Sequence, residues 1–146
     1  MKIRLCKKDE LNNVLFLQQE FLTENCCNGI CLDTLEDVKY KVVFIVEENK
    51  IVIGYAFGSY EIVKKDKTYL KKGEKSFYID EIYISPPYRN KGYGKKLMNH
   101  IEDYVKKQGF ANIQVVAVSK NYKSLLKFYI EELDFLFYSA WLIKKI

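Results

Sequence analysis

Histidine occurs once in the 146 residues, at His100, and proline only as the adjacent Pro86 and Pro87. One imidazole excludes centres built on paired histidines and leaves a zinc site short of its usual nitrogen ligands. Two prolines in one place exclude a proline-rich linker and supply a single sharp stop. No apolar run approaches the ~20 residues that a membrane-spanning helix needs. The opening MKIRLCKKDE lacks the apolar stretch of a secretory signal, so a cytoplasmic protein is expected, with no membrane partner.

Cysteine is sparse as well. Cys26, Cys27 and Cys31 sit together in NCCNGIC, and Cys6 stands apart. Zinc sites want four ligands in paired short spacings, so structural or incidental thiols are expected and no metal. A cytoplasmic setting also disfavours a disulfide framework.

What is plentiful is apolar and aromatic. Hydrophobic residues make up 49% of the chain, with 12 Tyr and 9 Phe, enough to bury the core of one domain spanning residues 1–146. The net charge of +5 comes largely from scattered lysines. That balance suits an anionic ligand, but no stacking or recognition-helix pattern supports a nucleic-acid partner.

Period-two and helical spacings alternate along the chain. Lys2 to Cys6 reads as a strand and Lys8 to Glu24 as a helix. Asn28-Gly29 marks a turn, and Asp33 or Thr34 can cap a second helix to Lys41. Val42 to Glu47 and Lys50 to Val63 read as two strands around a tight turn, with Gly54 and Gly58 signalling a bulge or a close neighbour. A lysine-rich loop leads to the strand Phe77 to Ser85, a helix from Gly92 to Gln108 and the strand Asn112 to Val118. A helix from Asn121 to Leu133 and a last strand from Phe135 to Ile143 complete the order. The order β-α-α-β-β-β-α-β-α-β predicts an α/β (α+β) fold, with helices covering a central mixed sheet.

The chain is organised around RNKGYGK, Arg89 to Lys95, where a strand feeds a glycine loop that opens into a helix. Amides at a helix start lack intrahelical partners and that end is positive. Gly92 and Gly94 let an anion approach the main chain, with Arg89, Lys91, Lys95 and Lys96 adding charge. This is a phosphate cradle in outline.

Strand, RNKGYG, helix and strand, followed by N-x-x-S and an aromatic pair, resemble the GNAT N-acetyltransferase superfamily. Its loop signature, Gln/Arg-x-x-Gly-x-Gly/Ala, is met by Arg89, Gly92 and Gly94. The element order agrees over nearly the whole chain and best from Phe77 to Phe135. The resemblance implies a GNAT acyl-CoA N-acyltransferase fold, acetyl-CoA as co-substrate and direct transfer to an amine without an acyl-enzyme. It implies that main-chain groups of Asn90, Lys91, Gly92, Tyr93, Gly94 and Lys95 hold the pyrophosphate. The backbone of Ile82, Tyr83 and Ile84 then takes the pantetheine arm, and Asn121 and Ser124 match the downstream motif.

Acetyl transfer to an amine also needs a base, because an amine with a pKa of about 10 is protonated at neutral pH. Strict alternation puts Asp80 with Tyr78, Ile82 and Ile84, and Glu81 on the opposite face with Ile79 and Tyr83. The family places its basic residues on the face matching Tyr78 and Asp80. Asp80 is therefore the expected base, directly or through water, and Glu81 the alternative. The family's general acid is a tyrosine on the next helix. Tyr129 lies one residue further from Asn121 than that pattern has it, a turn of roughly 100° on a helix. General acid and core aromatic both stay open for it.

Two other classes compete: a CoA-binding module without catalysis, and a basic nucleic-acid-binding protein. Trp141 and the aromatics of the last strand fit either the core or a homodimer contact. The acceptor is open among small-molecule amines, antibiotics, polyamines and protein amines.

Overall fold

The computed structural model describes residues 1–146. Five strands, β1 (Lys2–Leu5), β2 (Val42–Glu48), β3 (Ile51–Ile62), β4 (Lys75–Ile84) and β5 (Asn112–Val115), lie side by side in chain order. The first four are antiparallel, and β5 runs parallel to β4. The parallel step follows from its connection, since a strand that returns in the same direction needs a crossover helix. That helix is α3 (Tyr93–Lys107); the others are α1 (Leu11–Thr23), α2 (Leu35–Val38) and α4 (Tyr122–Lys127). No helix is long and apolar enough to cross a membrane.

Each face of the sheet has its own core. Leu97, Met98, Ile101 and Val105 of α3 pack on Phe44, Ile53, Ala56, Phe77 and Ile79. Across the sheet, Leu11, Val14, Leu17 and Phe21 of α1 pack on Val43, Ile45, Tyr55, Phe57 and Tyr83. The three-and-four spacing of these helical residues makes the apolar stripe that the sheet buries. α2 starts as expected: Thr34 accepts the Asp37 N–H, and the Asp37 carboxylate returns to the Thr34 N–H at 2.7 Å. The predicted tight turn after β2 has Asn49 at φ 51° and Lys50 at φ 67°, the left-handed pair that suits a hairpin. A Cβ on Gly58 would lie 2.2 Å from the Tyr78 carbonyl oxygen, so β3 closes on β4 only because glycine stands there.

Three expectations change at the C-terminal end. β5 stops at Val115 rather than Val118. The last helix is regular only through Lys127 and widens into a π-turn over Phe128–Glu132. The final strand, Phe135 to Ile143, does not form. Its residues have strand propensity, but propensity needs a ladder to act through, and β4 is the only strand that β5 pairs with. The segment instead exposes its apolar side chains, with Trp141 at 90% and Ile143 at 78%.

Candidate functional site

The site is built on a defect in β4. Phe57 pairs with Glu81 and Gly58 with Ile79, leaving Asp80 as an extra residue in a β-bulge. Before the bulge Phe77 and Ile79 face α3; after it Ile82 and Ile84 take that side, and Tyr83 joins the α1 core. The strict alternation expected from the sequence is therefore corrected. Glu81 does not share the face of Ile79, and Asp80 does not share that of Ile82 and Ile84. The Asp80 carboxylate meets Lys41 at 2.9 Å, and the same ammonium lies 4.8 Å from the ring centroid of Phe57 in the α1-side core. Both acids thus open toward the α1 side.

The β4 edge next to them is bare. Its pairing with β5 runs from Ser76–Asn112 to Ile79–Val115 and stops there. The chain beyond β5 is held by the α1–α2 loop instead. The Asn28 N–H donates to the Val118 carbonyl at 2.9 Å, the Lys120 N–H to the Cys26 carbonyl at 2.9 Å, and Lys120 Nζ to the Asn25 carbonyl at 2.8 Å. Asp80 to Ile84 consequently have β3 on one side and no strand on the other.

Glu81 sits in a buried polar network. The Tyr55 hydroxyl donates to one carboxylate oxygen. The Gln18 amide, 0% exposed, donates to Glu81 at 3.2 Å and to Asp33 at 2.7 Å, and its oxygen accepts the Asp33 N–H at 2.8 Å. Burial pushes the Glu81 carboxyl above the ordinary range. The bonds from Tyr55 and Gln18 pull it back, the Asp33 charge raises it and the Lys41 charge lowers it. Burial and the Glu81 charge hold the Tyr55 phenol far above its usual pKa, so it stays a donor.

Beyond β4 the chain turns through Pro86–Tyr88 into the glycine loop. Asn90 at φ 58° and Gly92 at φ 78° swing the backbone into the start of α3. Gly92 caps the helix without a side chain, and the Lys96 N–H makes the first bond to its carbonyl at 3.1 Å. The amides of Tyr93, Gly94 and Lys95 precede that bond, in the turn where a helix leaves its N–H groups free. Lys95 and Lys96 are exposed at the same end, while Lys91 donates to the Pro87 carbonyl at 3.0 Å and Tyr93 reaches Glu48 at 2.5 Å.

Arg89 has a different place from the one its motif suggests. Its guanidinium forms two bonds to Glu24, at 2.7 and 2.8 Å, and a third to the Ile84 carbonyl at 2.8 Å. The Tyr83 hydroxyl donates to the same Glu24 at 2.7 Å. These bonds lower the Glu24 pKa, the Arg89 bond most of all. Arg89 is thus committed to bracing the loop against α1, and its charge is already matched.

Tyr129 is 4% exposed and lies between Phe128 and Phe135, with ring centroids 5.3 and 5.2 Å away. The departure in its spacing falls where the helix widens into the π-turn, a distortion common at functional sites. Burial, and then the neighbouring Cys27, raise its phenol to about 12. Cys27 is itself raised to about 11 by burial first, with Cys26 at 4.0 Å and the charges of Glu81 and Glu24 adding to it. A thiol held protonated is a poor nucleophile.

The structure thus gathers Asp80, Glu81 and Ile82–Ile84 on one strand and Asn90–Lys95 just beyond it. Asn121 and Ser124 are exposed at the start of α4. His100 stands apart, edge-on to Phe44 at 6.0 Å. No group of three or more His, Cys, Asp or Glu side chains is placed to hold a metal ion. Sequence reasoning missed Gln18, Glu24, Asp33, Lys41, Tyr55 and Cys27, all of them before β4. One signal was available: Gln18 interrupts the apolar stripe of α1 between Leu17 and Phe21, where only a satisfied amide is tolerated.

The sequence matches the acetyltransferase (GNAT) family over residues 13–135. Among solved structures, an aminoglycoside N-acetyltransferase AAC(6')-Iy in complex with CoA superposes with a TM-score of 0.71 at 16% identity, covering 99% of this chain and 98% of that one. A predicted acetyltransferase with acetyl-CoA from Clostridium acetobutylicum gives 0.70 at 19% identity, over 99% and 95%. A ribosomal-protein-alanine N-acetyltransferase from Brucella melitensis biovar Abortus 2308 gives 0.71 at 15%, over 99% and 100%.

Proposed function

Because the chain belongs to the acetyltransferase (GNAT) family, we propose that it moves an acetyl group from acetyl-CoA directly to a primary amine on the α1 side of β4. The observation that carries this reading is the bare β4 edge, with Glu81 beside it and the start of α3, which no side chain caps, beyond it. The residues suit acetyl-CoA. Gly92 in the left-handed region has nothing within 4 Å of a Cβ position, which leaves room for a phosphate against the amides of Asn90 to Lys95. The main-chain groups of Ile82 to Ile84 that β3 does not use, the Arg89-bonded Ile84 carbonyl apart, take the amide-bearing pantetheine arm as a missing strand would. When bound, acetyl-CoA supplies the thioester carbonyl.

The chain's own residues do the rest. Glu81 takes the proton from the incoming ammonium, since a carboxylate offers about four lone-pair positions and two protein donors leave it room. Tyr55 and Gln18 fix its orientation. Asp80, the base expected from the sequence, serves better as an ammonium anchor because Lys41 already holds its charge. Tyr129, protonated at neutral pH, gives its proton to the departing thiolate.

Asp33, Asp80 and Glu81 on one side of β4 favour a cationic acceptor, a small molecule carrying several amines. A cytoplasmic setting keeps the four thiols reduced, and a homodimer joins through the exposed segment Phe135 to Ile143. The test is CoA thiol release across a panel of polyamines, aminoglycosides and peptide N-termini, with acetyl-CoA binding followed in parallel by calorimetry. Release with at least one amine, lost in Glu81→Gln while acetyl-CoA still binds, is the expected result. Binding with no release from any amine would leave a CoA-binding module without catalysis.

A further inference from the structure

Any acceptor must bring an ammonium group against the acids of β4. The chain already puts one there. Lys41 is the only lysine hydrogen-bonded to an acid of that strand, through Asp80 Oδ2 at 2.9 Å. Its ammonium lies over Phe57, the residue paired with Glu81 across the β3–β4 ladder. Asp80 pairs with it, its charge also acts on the Glu81 and Asp37 carboxylates, and Lys8 and Lys39 line the same cavity as Lys41. Its stem lines a cavity of about 250 Å³ between Cys6, Val38, Val43 and Tyr104, which gives the side chain room to leave Asp80. The side chain is 25% exposed, so it is held without being sealed.

We propose that Lys41 is itself an acetyl acceptor, modified within its own chain at the site where an external amine reacts. This rests on the acetyl-transfer reading above. The ammonium gives one proton to the β4 carboxylates, and the freed Nζ lone pair attacks the thioester carbonyl carbon. The C–N bond forms and the C–S bond breaks. The sulfur leaves with the electron pair and is protonated as CoA thiol. The net change is one thioester and one ammonium converted to one amide, one thiol and one released proton. The amide is neutral and cannot pair with Asp80, so the modified chain offers a free carboxylate to the next cation. Lys41 is therefore both a competitor for cationic acceptors and a site whose acetylation removes that competition.

The experiment incubates the full chain with acetyl-CoA and no amine, then maps acetyl-lysine by peptide mass spectrometry over time. Lys41 should be modified faster than the exposed Lys64, Lys65 and Lys144 by about a hundredfold, the low end of what a positioned base supplies. Its rate per chain should not change on dilution, because the reaction is intramolecular. Glu81→Gln and Asp80→Asn should each slow it, and thermal melts report whether the variants are folded. Lys41→Arg keeps the charge and the pair with Asp80, and should show no acetylation at that position. Lys41 modified no faster than the exposed lysines, or at a rate that falls with dilution, overturns the inference. If it stays unmodified while external amines still release thiol, the inference fails and the acetyl-transfer reading stands. If neither release nor binding occurs, the acetyl-transfer reading fails first.

Discussion

Tyr55 and Glu81 form one unit, and their chemistry is set by what surrounds them rather than by their own pKa values. Burial raises the Glu81 carboxyl, so less of it is ionised at mildly acidic pH than of an exposed glutamate. A base must be ionised to act, so turnover should fall as pH drops through that raised pKa. The Tyr55 hydrogen bond lowers the value by stabilising the carboxylate. Tyr55→Phe removes that donor, and the acidic limb of the kcat/KM profile should move to higher pH. Asp33→Asn removes a like charge, and the limb should move to lower pH. Opposite shifts from two residues that flank the same carboxylate would place Glu81 in the rate; an unmoved limb in both variants would remove it.

At the scale of elements, the glycine loop owes its position to α1. Glu24 at the end of that helix takes two hydrogen bonds from Arg89 and one from Tyr83, while Arg89 also ties back to Ile84. A carboxylate whose folded pKa is lowered adds stability that is present above its unfolded value and lost as pH falls through the folded one. The clamp should therefore loosen on acidification below the ordinary glutamate range. Arg89→Ala should weaken acetyl-CoA binding by about tenfold, the cost of roughly 1.4 kcal/mol in placing the loop amides. The check is calorimetry, and an unchanged affinity would show that the loop stands without its brace. Helix and strand periodicity made most of these elements legible: α1, α3, β2 and β3 lie close to where their patterns put them. The bulge was not legible, because Asp80 and Glu81 fit an unbroken alternation as well as a broken one. Nor were the partners of Glu81, Tyr55 and Gln18, which lie 26 and 63 positions away and meet it only through packing.

At the scale of the molecule, the uneven feature is the end of the chain. Leu136, Phe137, Tyr138, Trp141, Leu142 and Ile143 are all exposed, beside a β5 whose outer edge carries no strand. An apolar segment and an open edge on one chain suit reciprocal exchange between two copies, in which each supplies the strand the other lacks. Sedimentation should show a mass that rises with concentration, and Trp141→Ser with Ile143→Ser should shift it toward the monomer. A monomer at all concentrations would show that the segment stays unpaired. The sequence pattern read Phe135 to Ile143 as a last strand, and the chain forms none there, because propensity without a pairing partner makes no ladder.

The bulge at Asp80 behaves like a frame-shift in a two-letter code. Upstream of it, odd-numbered β4 residues belong to α3; downstream they belong to α1. Deleting that one residue would restore a regular ladder with Glu81 and Tyr83 still toward α1, whereas ironing the bulge out with Asp80 in place would turn both toward α3. A related sequence aligned across this point with a one-residue gap misplaced would acquire a false acid and lose its own, although the two chains differ in nothing but the count.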